Sequence, residues 1–318
     1  MCGVEFRPAR PDEWPAALEC LFGYVAPALR GVLIAHAAAE LRRGEMPSDG
    51  FWIGFQAGRV LAAVFASIEP GRVGQLTRPG VATEIAAEHA LRLEDGVVAA
   101  AVDWLARQGV SLAHALLPDR DPSRDAALAR GGFFQPTSLR RYRKGLADRA
   151  GIADAEGLEF HRYGPANADV FVATLTQTYH DTRDIPELNR RRHECDVLNG
   201  YRACGDSSDR EWWLVTAPSE GPVGVVVVTE VSQAATWELL YLGLIPAARG
   251  QRYGRSMVAW VLDQARAAGM IAVTLSVDVR NEPALRLYES LGFQPCDEWF
   301  LWLKFLHDPV PAQMGGVF

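Results

Sequence analysis

The sequence has few cysteines, and they are not arranged for bonding to one another or to a metal. Among 318 residues there are five, Cys2, Cys20, Cys195, Cys204 and Cys296. The count is odd, the spacings are wide, and no CxxC pair or histidine at zinc-ligand distance accompanies them. A disulfide framework and a structural zinc are excluded, and free thiols in a reducing compartment are expected. Cys20 falls on an apolar helix face without a basic neighbour, so packing rather than reactivity is its expected role. Long apolar runs are also missing. The aliphatic run Val223–Val228, with one glycine, is far short of the roughly 18 residues that cross a bilayer. The opening segment, MCGVEFRPARPDEW, has no apolar core of signal-peptide length. From these two absences a cytoplasmic protein is expected.

A surplus of positive charge is lacking too. The net charge is −7, and it is unevenly placed: residues 1–150 carry 18 basic and 17 acidic side chains, whereas residues 151–318 carry 14 and 22. Such a surface suits neither nucleic acid nor an anionic membrane. A polyanionic ligand must therefore be held by a local group of cations and amides, while an amine meets a favourable field.

What is present is an ordinary globular composition, 49% hydrophobic and 22% charged, on a chain long enough for two domains. Shifting the sequence by 160 positions lays Val97–Val110 over Met257–Met270, and Gly132-Phe133 over Gly292-Phe293. Both longer segments are amphipathic helices ending in glycine, the residue that accepts a left-handed C-cap. Each half shows the same order of patterns. In the first, strands are expected at 4–8, 51–56, 60–68, 74–78, 111–117 and 138–144, with helices at 12–44, 85–108 and 123–130. In the second, strands are expected at 158–163, 212–216, 224–231, 236–244, 272–277 and 299–305, with helices at 166–179, 186–201, 254–268 and 283–291. The polar, small-residue segment Ala147–Gly157 reads as a linker. The fold class is α/β, with two tandem domains, 1–146 and 158–307, each a mixed, mostly antiparallel sheet flanked by helices.

Glu238–Ser256 carries the chemistry: an apolar strand, Pro246 to stop it, then Arg249, Gly250, Gln251, Arg252, Tyr253 and Gly254 leading into a helix with Arg255 and Ser256. Free amides at a helix N-terminus bind phosphate oxygens, and glycines admit a close approach. Arg249, Arg252 and Arg255 add positive charge in an otherwise acidic half.

This strand-loop-helix resembles motif A of the GNAT superfamily of N-acetyltransferases, with Arg249 and Gly254 at matching positions and Arg252 where the motif has its middle glycine. Downstream, Asn281-Glu-Pro-Ala284-Leu-Arg-Leu-Tyr288, followed by Glu-Ser-Leu-Gly-Phe, is similar to motif B. The resemblance implies acetyl-CoA as cosubstrate and no metal. It implies that the backbone of Leu242, Gly243 and Leu244 meets the pantetheine and acyl carbonyl, that the 249–256 loop takes the pyrophosphate, that Asn281 contacts the cofactor, and that Tyr288 lies near the sulfur as a proton donor. Attack on a thioester needs a neutral amine, hence a base. Glu238 is the candidate, because tandem members such as mycothiol synthase carry a glutamate at the matching place. A solvated strand-end glutamate is the alternative.

The polar segment between the first two helices of the second half supplies candidate amine-binding residues, Tyr179, Asp184, Glu187 and Asn189. His180 and His193 are weaker candidates for a base, and Arg190–Arg192 reads as a solvated face. In the first half His89, Glu94, Asp95, Leu128 and Arg78 fall where the second has Arg249, Gly254, Arg255, Tyr288 and Glu238. Carboxylates at a pyrophosphate site repel it, so the first half is expected to be a degenerate copy. The expected function is acetyl transfer to a primary amine by direct attack. The alternatives are a mycothiol-synthase-like activity on an amino-sugar conjugate, and a non-catalytic acyl-CoA-binding protein.

Overall fold

The structure, a computed structural model, describes residues 3–44, 46–147, 157–205 and 211–307. The expected linker, Ala147–Gly157, lies almost wholly outside the described residues, as does Cys2; Cys20, Cys195, Cys204 and Cys296 are thiols that form no disulfide among the described residues. Among the described residues no helix is long and apolar enough to cross a membrane.

Unit 1 comprises Met1–Pro136 and Phe300–Asp308. Its elements are β1 (Glu5–Pro8), α1 (Trp14–Leu21), α2 (Pro27–Arg43), β2 (Phe51–Gln56), β3 (Arg59–Glu69), β4 (Val73–Leu76), β5 (Gly80–Val81), α3 (Ala87–Arg107), β6 (Leu112–Leu117) and α4 (Pro122–Arg130). The single helical region expected over 12–44 is broken because Pro27 forces Ala26 into an extended conformation, φ −52° and ψ 136°. Antiparallel pairing joins β1, β2, β3 and β4 in that order, and β4 runs parallel to β6.

Unit 2 comprises Thr137–Trp299 and Pro309–Phe318. It holds most of β7 (Phe134–Gly145), then β8 (Glu159–Arg162), α5 (Ala168–Thr178), α6 (Glu194–Arg202), β9 (Trp212–Ala217), β10 (Gly221–Val231), β11 (Thr236–Leu244), α7 (Tyr253–Ala267), β12 (Ala272–Asp278), α8 (Glu282–Ser290) and the start of β13 (Gln294–Phe305). The helix expected over 186–201 is confined to α6 after one 3₁₀ turn, since Ile185 and Arg190 take left-handed φ values of 44° and 58°.

The compact units do not follow the expected boundaries at 146 and 158. Phe300–Phe305 of β13 pair antiparallel with Leu112–Leu117 in unit 1, whereas Leu139–Gly145 of β7 pair antiparallel with Ala272–Asp278 in unit 2. Side-chain packing explains the exchange. Phe300, Trp302 and Leu306 pack on the unit 1 core around Val97 and Leu105, while Tyr142 and Leu146 belong to the unit 2 core. The two late strands keep the 160-residue correspondence: Lys304 donates to the Gly131 carbonyl at 2.6 Å, and Lys144 lies beside Gly292.

Alternation sorts the unit 2 sheet into two faces. Trp237, Leu239, Val273, Leu275, Val277 and Tyr142 face α7 and α8 with Met257, Val258, Val261 and Leu262. On the opposite face Phe171, Leu175, Val197 and Leu198 of α5 and α6 cover Trp212, Val225 and Val227. Glu238, Thr274, Ser276 and Asp278 fall on that second face by register.

Candidate active site

The parallel ladder between β11 and β12 runs from Thr236 opposite Ala272 to Leu239 opposite Leu275 and stops there. Leu240 is the bulged residue, for Val227 and Val228 of β10 face Tyr241 and Leu239. Beyond it the two strands share no pairs, and a cleft of about 1100 Å³ opens. Its walls include Leu242, Gly243 and Leu244 of β11, Ser276 and Val277 of β12, Arg249, Gly250, Arg252, Gly254 and Arg255 of the following loop and helix, and Asn281, Ala284 and Tyr288 of α8.

The loop after Pro246 has the backbone that the sequence leads one to expect, with a twist at its middle position. Gly250 takes φ 82° and Arg252, the N-cap of α7, takes φ 65°. The position that holds glycine in the motif is therefore left-handed here with an arginine in it. None of the main-chain N–H groups from Gly250 to Gly254 meets an acceptor among the described residues, whereas those of Arg255 and Ser256 bond to the Arg252 carbonyl. The positive end of the α7 dipole stands behind them.

The side chains of the loop differ in availability. Arg249 is engaged: its guanidinium donates to the carbonyls of Thr178, His180, Asp181 and Leu244 at 2.6–3.2 Å. It ties the end of α5 to β11 and is not the free cation expected from the sequence. Tyr253 donates to Glu220 at 2.9 Å, Gln251 also reaches Glu220, and Arg255 donates to Ser290 Oγ at 3.0 Å. Arg252 has no side-chain partner among the described residues and is exposed, and Ser256 follows on the first turn of α7.

Tyr288 belongs to the α8 side of the core, 8% exposed, edge-on to Phe293. Among the described residues its hydroxyl has no hydrogen-bond partner. Burial, reinforced by the Asp184 carboxylate, pushes its pKa up. It therefore stays a proton donor through the neutral range. Asn281 caps α8 by accepting from the Ala284 N–H at 3.4 Å.

The candidate amine-binding residues separate into different environments. Asp184 lines the cleft, where burial raises its pKa although Oδ1 accepts from the Asp278 N–H at 2.9 Å. Glu187 is held by Arg280 through bonds of 2.8 and 2.9 Å, which lower its pKa. Tyr179 is packed in the α5–α6 core, where burial pushes it up to about 12, and its hydroxyl meets Tyr201 at 3.3 Å. Neither Tyr179, Glu187 nor Asn189 is among the cleft-lining residues. Glu238 is half-buried between Thr229 and Thr274, one residue before the ladder ends, and also lies outside the cleft walls. His180 contributes its carbonyl to Arg249, and His193 is the residue before α6.

Three features were not singled out in the sequence: Tyr241 and Ser276, which line the cleft, and Asp278, buried just behind it. Asp278 is 0% exposed and accepts from Thr137 Oγ1 at 2.6 Å, from the Ile185 N–H at 3.0 Å and from Arg280. Tyr241, beside the bulge, hydrogen-bonds Thr178 at 2.7 Å. Ser276 is an exposed polar residue inside an otherwise buried strand. The acid ending the apolar run Ala272–Val277 was the available signal for the first.

Residues 175–293 match the acetyltransferase (GNAT) family. This chain carries a GNAT acetyltransferase domain. The GNAT domain lies within unit 2 and spans the cleft walls just described. The chain is similar to the mycothiol acetyltransferase of Beutenbergia cavernae, 39% identical over 26% of this chain and 28% of the relative. It is also similar to that of Thermobispora bispora, 29% identical over 62% and 66%. Each match covers less than two thirds of the relative's own length. In fold the chain resembles a GCN5-related N-acetyltransferase from Sphaerobacter thermophilus, with a TM-score of 0.61 at 13% identity over 96% of this chain and 97% of that one.

In unit 1 the corresponding place is occupied by protein. Past the β4–β6 ladder the Arg78 guanidinium, 3% exposed, binds Asp125 at 2.6 Å and Asp119 at 2.8 Å.

Proposed function

We propose that unit 2 transfers the acetyl group of acetyl-CoA to a primary amine by direct attack on the thioester, in the cleft between β11 and β12. The observation that carries this reading is the run of N–H groups from Gly250 to Gly254, unbonded among the described residues, on the wall of a cleft that Tyr288, with no hydroxyl partner among them, also lines. Gly254 supplies the test of fit. A Cβ there meets only ordinary contacts, Leu287 at 3.5 Å and Leu244 at 3.9 Å. Nothing in the fold requires glycine at this helical position, so a phosphate approaching the backbone accounts for it.

In this reading acetyl-CoA supplies an activated acyl carbonyl and a thiolate leaving group. The loop amides and Arg252 hold the diphosphate. The unpaired edge of Leu242–Leu244 orients the acyl arm and stabilises charge developing on the acyl oxygen. Asn281 fixes the start of α8, which carries Tyr288 to the sulfur side, where it donates a proton as the thiolate departs. Glu238 lies on the opposite face of the sheet, the amine side. It takes the ammonium proton through water along Thr274 and Ser276, and Asp184 attracts the amine. The relatives' names supply the alternative acceptor, an amino-sugar conjugate of the mycothiol type.

The test combines calorimetry with a thiol-release assay over a panel of amines. Acetyl-CoA is expected to bind at one site per chain, Tyr288→Phe to lower kcat with little change in acetyl-CoA affinity, and Glu238→Gln to lower turnover most at low pH. No heat with acetyl-CoA would end the proposal. Binding without turnover on any amine would leave a non-catalytic acyl-CoA-binding protein.

A further inference from the structure

The face of the unit 2 sheet opposite Tyr288 carries a row of polar side chains fixed by strand register. Thr274 of β12 stands between Glu238 of β11 and Arg143 of β7, and Ser276, two residues on, is opposite Arg141. Paired residues on adjacent strands point the same way, as Leu275 and Tyr142 do into the core on the other side. Arg141 and Arg143 therefore share the face of Glu238 and Ser276. Both arginines are exposed, and among the described residues neither guanidinium has a hydrogen-bond or ion-pair partner. Their neighbour Arg140 points to the other face and is bound to Glu298. Ser276 lines the cleft, which places Arg141 one strand spacing, about 5 Å, from its wall.

Resting on the acetyltransferase reading above, we infer that the acceptor is an amino acid or amino-acid-like molecule, whose amine meets the thioester near Ser276 and whose carboxylate is bound by Arg141 and Arg143. An amine alone would require only carboxylates on this face, and a neutral sugar conjugate would require no cation. Two guanidiniums without partners among the described residues, across β12 from the Glu238 carboxylate, match a zwitterion in sign and in order: amine toward Glu238 and Asp184, anion toward β7. Arginine suits this role because its planar fork takes both carboxylate oxygens. The register also sets a size. With the amine at the β11–β12 opening and the anion over β7, on the far side of β12, the two charges of the acceptor are about one and a half strand spacings apart, ~7 Å, the span of several bonds.

The experiment pairs α-, β- and γ-amino acids with their own carboxamides as acceptors, assayed by thiol release at saturating acetyl-CoA, with acetyl-CoA binding followed separately by calorimetry. For the best acceptor, the free acid is expected to have a KM about tenfold or more below that of its amide, as one charge-assisted bidentate contact provides. In Arg141→Gln and Arg143→Gln the KM of the acid is expected to rise toward that of the amide. Equal KM for acid and amide in the parent, or no turnover of any member while acetyl-CoA still binds, overturns the inference and leaves the cofactor reading standing. Variants that raise KM for acid and amide alike overturn it too. Loss of acetyl-CoA binding in the parent would instead remove the reading on which it rests.

Discussion

Arg280 and Glu187 face each other through two parallel hydrogen bonds, 2.8 Å from Nη1 to Oε1 and 2.9 Å from Nη2 to Oε2. The same guanidinium binds the fully buried Asp278 at 2.7 Å. One side chain thus clamps the segment after α5 to the end of β12. Both carboxylate oxygens of Glu187, an amine ligand by expectation from the sequence, are engaged in that clamp.

Arg280→Gln should test the clamp through pH. Burial would raise the pKa of Asp278, but hydrogen bonds from Arg280, Thr137 and the Ile185 main chain outweigh it, and the net shift is downward; Arg280 also lowers Glu187. Carboxylates lowered in the folded state stabilise it above their unfolded values, near 4, and lose that contribution as pH falls through the folded values. The variant is expected to be about 2 kcal/mol less stable at pH 7, a figure reduced because the guanidinium is partly solvated. The gap should close below about pH 4. Urea melts across pH decide the matter, and a gap independent of pH would contradict the assignment.

Gly254→Ala separates folding from binding. The Cβ fits among Leu287 and Leu244 without overlap and stiffens the unfolded chain. A gain in stability of about 0.5 kcal/mol is expected. The methyl group occupies the space through which a phosphate would reach the α7 amides, so acetyl-CoA affinity should drop about tenfold or more. Thermal melts and calorimetry should therefore move in opposite directions.

Arg252→Gly should also raise the melting temperature, for a different reason. An arginine at φ 65° carries roughly 1 kcal/mol of backbone strain that glycine does not. Binding of acetyl-CoA should weaken by a few-fold as one exposed cation is lost. A variant no more stable than the parent would mean that the left-handed turn is relaxed in solution.

Much of this architecture was legible in the sequence because local patterns dominate it. The 160-residue correspondence, the apolar period of α3 and α7, and the proline and glycines around the 246–254 loop each fix backbone locally. Tyr288 could be placed in the cleft wall because Asn281 and Pro283 start its helix and the period does the rest. Long-range competition was not legible. Arg249 reads as a phosphate ligand until α5 brings the carbonyls of Thr178, His180 and Asp181 against it. Glu187 reads as free until Arg280 arrives from a strand end 93 residues away. The partner of each late strand was hidden for the same reason, since β7 and β13 have matching lengths and only their side chains distinguish them.

That distinction yields a prediction about fragments. The repeat marks residues 1–146 as a domain, yet unit 1 contains Phe300–Phe305 opposite β6. Taken alone, the fragment has only its own β7 to put there. The repeat then sets Arg140, Arg141, Tyr142 and Arg143 at the places of Phe300, Leu301, Trp302 and Leu303. Leu301 and Leu303 are 4% and 1% exposed. Two guanidiniums cannot be buried there without partners, and an empty β6 edge is a template for association. The 1–146 fragment is therefore expected to aggregate or melt without cooperativity, and fusing residues 300–307 after residue 136 through a flexible linker should restore a monomer with a cooperative transition. Size-exclusion chromatography and circular dichroism on the two fragments give the answer. A monomeric, cooperatively melting 1–146 would show that β7 can serve both sheets, and that the exchange of final strands is not required by their side chains.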